Sequence, residues 1–168
     1  LTASANAFVF ADMLSQIKTD GFFVFALALV MVFVVILIQE RSLVRAIFMC
    51  TPLTVSFLWL AGVMALFHIK LGLFNMVILP VAVGIGIDAA IHLTLRYRSS
   101  GRGSIVFVLA RSGGAITMCA ATTVVGWGGM MMSQHQGLNT MGLLAMLAIS
   151  LSWLSTLTVA PAMAPAAE

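Results

Sequence analysis

Residues Gly84 to Arg98 read GIGIDAAIHLTLRYR. A single aspartate interrupts an apolar run, with a histidine four residues later and arginines at the end. The cost of that charge depends on what surrounds the run, and composition decides the point. The chain has 168 residues, of which 62% are hydrophobic and only 8% charged. Its mean hydropathy is +1.15. So few charges cannot form the polar skin of a soluble domain, which leaves an integral membrane protein.

Crossing the hydrocarbon core takes about 20 mostly apolar residues. The runs that qualify predict five spans, at about 21–39, 46–67, 71–95, 113–133 and 139–160. The last two come from a long stretch, Ser112 to Ala167, with no acidic or basic residue except His135, divided by SQHQGLN at 133–139. The runs are continuous and lack strict two-residue alternation, so they predict helices rather than barrel strands. The expected fold is an all-α membrane protein, a five-helix bundle. Cys50 and Cys119 lie in different spans and read as buried free thiols.

Basic residues predict the orientation. Arg41, Arg45, Arg96, Arg98, Arg102 and Arg111 fall on one side, and Lys18 and Lys70 on the other. The positive-inside rule puts the six arginines in the cytoplasm, with the N-terminus external, the C-terminus cytoplasmic and 166–168 a short inner tail. Residues 1–20 are expected outside, with 6–18 (NAFVFADMLSQIK) as a short amphipathic lead-in. SIVFVLAR, Ser104 to Arg111, is expected to form a similar surface helix inside. No initiating Met or signal peptide opens the chain, the pattern expected for part of a longer protein.

Every fourth residue of the third span gives Pro80, Gly84, Asp88, His92 and Arg96. That spacing keeps all five on one slowly drifting helical face. Gly84 and Gly86 allow close helix approach. Asp88 lies roughly 12 Å along the axis from Arg96, well inside hydrocarbon. A charged Asp at a helix centre costs about 2.5–3.5 kcal/mol, so intramembrane acids usually face a bundle interior and serve a pathway or relay. Hydrocarbon favours the neutral carboxyl, so an acid at that depth is suited to loading and unloading a proton. His92, one turn away, would pass protons or modulate Asp88. The plainer alternatives are a hydrogen bond from Asp88 to a neighbouring helix, and a His92 that holds the helix end at the interface. In the fourth span Gly113, Thr117 and Ala121 form a small-residue row that would press against the third span. Thr122 and Thr123 are relay candidates beside it. Ser150, Ser152, Ser155, Thr156 and Thr158 of the fifth span are expected to satisfy backbone carbonyls. Trp127 and Met130 to Met132 are expected to face lipid, with a greasy substrate path as the alternative.

ILPVAVGIGIDAAIHLTLRYR (78–98), GGAITMCAATTVVGWGGMMMSQHQGLNTMGLLAML (113–147) and TLTVAPAM (156–163) together resemble the resistance–nodulation–division superfamily. The nearest branch is the MMPL-type and hopanoid-exporter-like transporters, relatives of Patched and the sterol-sensing domain. The resemblance covers essentially the whole chain. Its most specific part is G-x-G-x-D-x-x-I-H followed by R-Y-R. It implies the last five spans of one half of a transporter, with residues 1–20 trailing from an external domain, and TVAPAMAPAAE favours the C-terminal half. It also implies proton-driven export of lipids or other hydrophobic molecules across a bacterial inner membrane, with Asp88 as the family's intramembrane acid and Thr122 and Thr123 on its partner helix. The implied partners are protons, a hydrophobic substrate, the other half with its periplasmic domains, and a further copy in a homo-oligomer. No nucleic acid, cofactor or metal is implied. Ala89 departs from the pattern, since many relatives carry a second Asp or a Tyr there.

Three rival functions remain in view. A passive lipid-sensing module of the sterol-sensing type shares the five-span plan. A SecD/SecF-type export motor wants Asn where Ala90 stands. An intramembrane aspartyl protease needs a second membrane aspartate, which the sequence lacks. His68, His92 and His135 fall at separate depths, unlike a metal site.

Overall fold

The computed structural model describes residues 2–69, 72–100 and 105–163. The expected inner tail at 166–168, Lys70, Arg102 and Ser104 lie outside the described residues. Hydrocarbon offers backbone groups no partner, so each apolar run closes its own hydrogen bonds as a helix. Five form: α1 (Thr2–Glu40), α2 (Leu43–Leu66), α3 (Leu73–Ser100), α4 (Ile105–Gly128) and α5 (Gln136–Met163), with a short 3-10 turn at Gly129–Met132 before α5. All five are long and apolar enough to cross a membrane, with spans at Asp20–Glu40, Leu43–Leu66, Asn75–Tyr97, Phe107–Met132 and Gln136–Ala162.

Two elements differ from the sequence expectation. Residues 6–18 do not form a separate helix but continue α1 unbroken. No proline interrupts them, and the first glycine, Gly21, lies beyond. Likewise Ile105 to Arg111 form the first turns of α4, because the Gly113–Gly114 pair does not stop a helix already started.

The connections are tight. α1 ends as Arg41 turns into the left-handed region (φ 51°) and its N–H returns to the Leu37 carbonyl at 2.9 Å. Ser42 is extended and starts α2. Two linking residues leave α1 and α2 no choice but to be antiparallel neighbours. α2 closes with a Schellman motif: Ile69 N–H donates to the Met64 carbonyl (2.9 Å) and His68 N–H to that of Ala65 (3.4 Å). His68 sits at φ 51°, where glycine is usual.

α5 is the hub, packing on α2, α3 and α4, while α1 lies against α2 and α3. One apolar cluster joins Ile36 of α1 and Met49 and Leu53 of α2 to Val83 and Ile87 of α3. A second joins Leu60, Ile78 and Ala82 to Leu144, Ala145 and Ala148 of α5. α3 belongs to both, and half of its span is buried, against 6% for α1 and α4. The helix carrying the charged stripe is therefore the most enclosed, and its apolar face turns inward.

The close approach is made at Gly86. A Cβ there would lie 2.7 Å from Ser152 Oγ and 3.0 Å from Leu53 Cδ1, so any larger residue would push aside the Ser152 hydroxyl and the Leu53 tip where α3 meets α5 and α2. Around Gly84 a Cβ would meet open space. Gly142 of α5 makes a second close contact, 2.9 Å from the Trp127 carbonyl oxygen for an added Cβ. Gly86→Ala is accordingly expected to cost about 1–3 kcal/mol, whereas Gly84→Ala should stay within about 0.5 kcal/mol. Comparing the unfolding of the two purified variants checks this, and Ser152→Gly in the Gly86→Ala background should recover part of the loss.

Candidate functional site

Asp88, His92 and Arg96 of the α3 stripe are exposed and Pro80 is half-buried, while Val83, Ile87 and Ala90 on the opposite face are buried. The three polar side chains of the stripe open onto one cavity of about 450 Å³ between α3, α4 and α5. Its walls are apolar, with Ile85 and Ala89 from α3, Ala115, Ile116 and Ala120 from α4, and Ile149 from α5. Polar groups come from all three helices: Asp88, His92 and Arg96, then Arg111 and Thr123, then Ser152 and Trp153. Along α3, His92 stands roughly 6 Å and Arg96 roughly 12 Å from Asp88. The cavity thus grades from a carboxyl to two guanidinium groups.

The two adjacent threonines of α4, Thr122 and Thr123, separate. Thr123 lines the cavity while its hydroxyl donates to the Cys119 carbonyl at 2.7 Å, leaving oxygen lone pairs to accept. Thr122 is exposed, does not line the cavity, and donates to the carbonyls of Met118 (3.1 Å) and Cys119 (2.9 Å). Neighbours on a helix point about 100° apart, and here the cavity falls on the Thr123 side of α4. Thr123 also borders a shallower hollow with Gly126, Trp127 and Met130, whereas Met132 projects outward, 89% exposed.

Gly113 and Thr117 face α5. Gly113 is buried, and a Cβ there would sit 4.0 Å from Leu157 Cδ2. Thr117 Oγ1 donates to the Gly113 carbonyl at 2.7 Å and accepts from Trp153 Nε1 at 3.0 Å. Gly113 and Thr117 of the small-residue row are spent on α5, Ala121 is exposed, and the space facing α3 is left open.

On α5, Ser152 Oγ donates to the Gly86 carbonyl (3.4 Å) and Ser155 Oγ to the Pro52 carbonyl (2.6 Å). Thr158 bonds back to Leu154 within α5 (2.8 Å). Thr156 is buried with no hydrogen-bond partner among the described residues. Sequence reasoning gave Arg111 a topological role only and did not single out Trp153. Both line the cavity, but they lie on other helices than Asp88, so no spacing links them to it. Among the described residues no three His, Cys, Asp or Glu side chains gather as metal ligands would.

The sequence matches the MMPL family model over residues 2–167. Protein dispatched homolog 1 of Mus musculus is 26% identical over 148 residues, covering 86% of this chain and 10% of the relative. The human protein of the same name is also 26% identical over 148 residues. A putative membrane protein of Methanocaldococcus jannaschii is 27% identical over 152 residues, 87% of this chain and 39% of the relative. The chain therefore spans from 10% to 39% of the length of these relatives. No solved structure matches.

The Thr117–Trp153 hydrogen bond is the polar tie between α4 and α5. A double-mutant cycle of Thr117→Val and Trp153→Phe is expected to give a coupling of about 0.6 kcal/mol, the average for hydrogen bonds between membrane helices, and at most about 1.7 kcal/mol. Equal additive losses would mean that the bond contributes nothing in the folded protein.

Proposed function

The chain belongs to the MMPL family of membrane transporters, and on that premise we propose that it forms the proton-coupling bundle of a lipid or hydrophobic-molecule exporter. The observation that supports this most is the α3–α4–α5 cavity, onto which the mid-span acid Asp88 opens together with His92 and Thr123. A cavity is where membrane proteins place such an acid when it serves a pathway.

In this reading a proton arrives from outside and neutralises Asp88. The neutral carboxyl tolerates the apolar walls of Ile85, Ala89 and Ile116, so α3 and α4 close together. Release towards His92 and the arginine end restores the charge, and the helices part to let water reach it. His92 lies one turn along the exit path and Thr123 offers an accepting oxygen opposite, while Thr122 serves the outer face of α4. The N-terminus lies outside, the arginines face the cytoplasm, and the whole transporter sits in a bacterial inner membrane. The motion of α3 and α4 is passed to external domains contributed by the rest of the protein, as is the choice of substrate. The transporter works with its other half and as a homo-oligomer.

The test is proton entry and lipid export in proteoliposomes of the full-length transporter. Asp88→Asn keeps the shape but cannot ionise, and it should lower both fluxes at least about tenfold while the protein still assembles. Thr123→Val is expected to slow both, and Thr122→Val to leave both near wild type. If Asp88→Asn moves protons and lipid like the wild type, the coupling role is wrong, and a passive lipid-sensing module replaces it.

A further inference from the structure

Arg45, on the α1–α2 side, is neutralised by a buried carboxylate, with its Nη1 3.7 Å from Glu40 Oε2. Arg96 and Arg111 are different. They approach from two helices, line the same cavity, and neither makes an ion pair among the described residues. Arg111 also lies over the Phe107 ring, 5.8 Å from its centroid, which orients the guanidinium without neutralising it. His92 adds a third nitrogen donor, and the only acid of the cavity, Asp88, lies two turns deeper.

Two like charges facing one apolar-walled space repel each other unless an anion lies between them. The guanidinium fork matches phosphate oxygens in pairs. Basic pockets between membrane helices on the cytoplasmic side are where anionic headgroups bind. The volume, about 450 Å³, is within the range of small-ligand sites and accommodates a phosphate with its glycerol. We propose that the arginine end of this cavity binds an anionic phosphate group, that of a phospholipid headgroup from the adjacent leaflet, between Arg96 and Arg111. Its apolar chains run along Ala115, Ile116 and Ala89. The headgroup is held by the two guanidinium groups and not by Asp88, so its binding can be measured apart from proton coupling. A lipid seated there would wedge α3 from α4, which makes the bundle sensitive to the anionic lipid content of its membrane.

Trp153 lines the same cavity and reports on occupancy. The full-length transporter would be placed in phosphatidylcholine nanodiscs and titrated with phosphatidylglycerol carrying brominated chains. Quenching of Trp153 is obtained as the difference from Trp153→Phe. Saturable quenching is expected, with brominated phosphatidylcholine giving none. Arg96→Gln with Arg111→Gln should raise the half-saturating lipid fraction at least about tenfold, the worth of losing charged hydrogen bonds. Arg41→Gln, an exposed arginine at the same end of the bundle that does not line the cavity, should leave it unchanged. If the double variant fails to assemble, Arg111→Gln alone should raise it about threefold. Binding of glycerol 3-phosphate or inorganic phosphate by the wild type, lost in the glutamine variants, would keep the phosphate site and assign it to a soluble ligand. Wild-type quenching in the glutamine variants, or an equal loss in Arg41→Gln, would overturn the proposal in favour of diffuse surface attraction.

Discussion

Two serine hydroxyls of α5 hold the bundle in register. Ser155 donates to the Pro52 carbonyl of α2 and Ser152 to the Gly86 carbonyl of α3. In water such bonds would be exchangeable, but in hydrocarbon a hydroxyl or loosened carbonyl has no other partner. Pro52 disturbs α2, since it brings no N–H to the ladder. The helix around it is laced by hydroxyls bonded to carbonyls, Thr51 to Ile47 and Ser56 to Leu53, while Ser155 reaches across from α5. Gly86 completes the arrangement by letting backbone meet side chain with no Cβ between.

The architecture of the cavity follows from that anchoring. α5 is bonded to α2 through Ser155, α3 packs closely against both at Gly86 with a longer contact to Ser152, and α4 is tied to α5 through Thr117 and Trp153. The position of α4 against α3 is therefore set largely through α5, and the gap between them is left open for Asp88, His92 and Arg96. Magnitudes favour movement at this joint. A charge at mid-membrane depth is worth about 2.5–3.5 kcal/mol, whereas a hydrogen bond between membrane helices averages about 0.6 kcal/mol. A change of charge on Asp88 outweighs the tie on α4, so in the proposed cycle α4 is the element that yields.

Much of this was legible from one dimension. The five spans, the one-sided stripe of α3 and the carbonyl-satisfying role of Ser152, Ser155 and Thr158 follow from run length, spacing of four and the chemistry of hydroxyls in hydrocarbon. The lead-in at 6–18 and the turn before Gly113 were less legible. Polarity there marks the membrane surface, but a helix stops only where backbone geometry forces it, and α1 and α4 run straight through.

The sequence by itself determined that this chain lives in a membrane as five helices, and that one of them carries an acid, an imidazole and a guanidinium on a single face. Those are properties of a single helix, set by composition and the 3.6-residue repeat. Only the tertiary structure decided which members of each local pair act. Gly86 rather than Gly84 makes the close approach, Thr123 rather than Thr122 enters the cavity, and Arg111 and Trp153 join a site otherwise built on α3. The physical reason is that those distinctions depend on the rotation of one helix against another. That rotation is set by packing and hydrogen bonds between residues as far apart in sequence as Pro52 and Ser155, which no local pattern encodes.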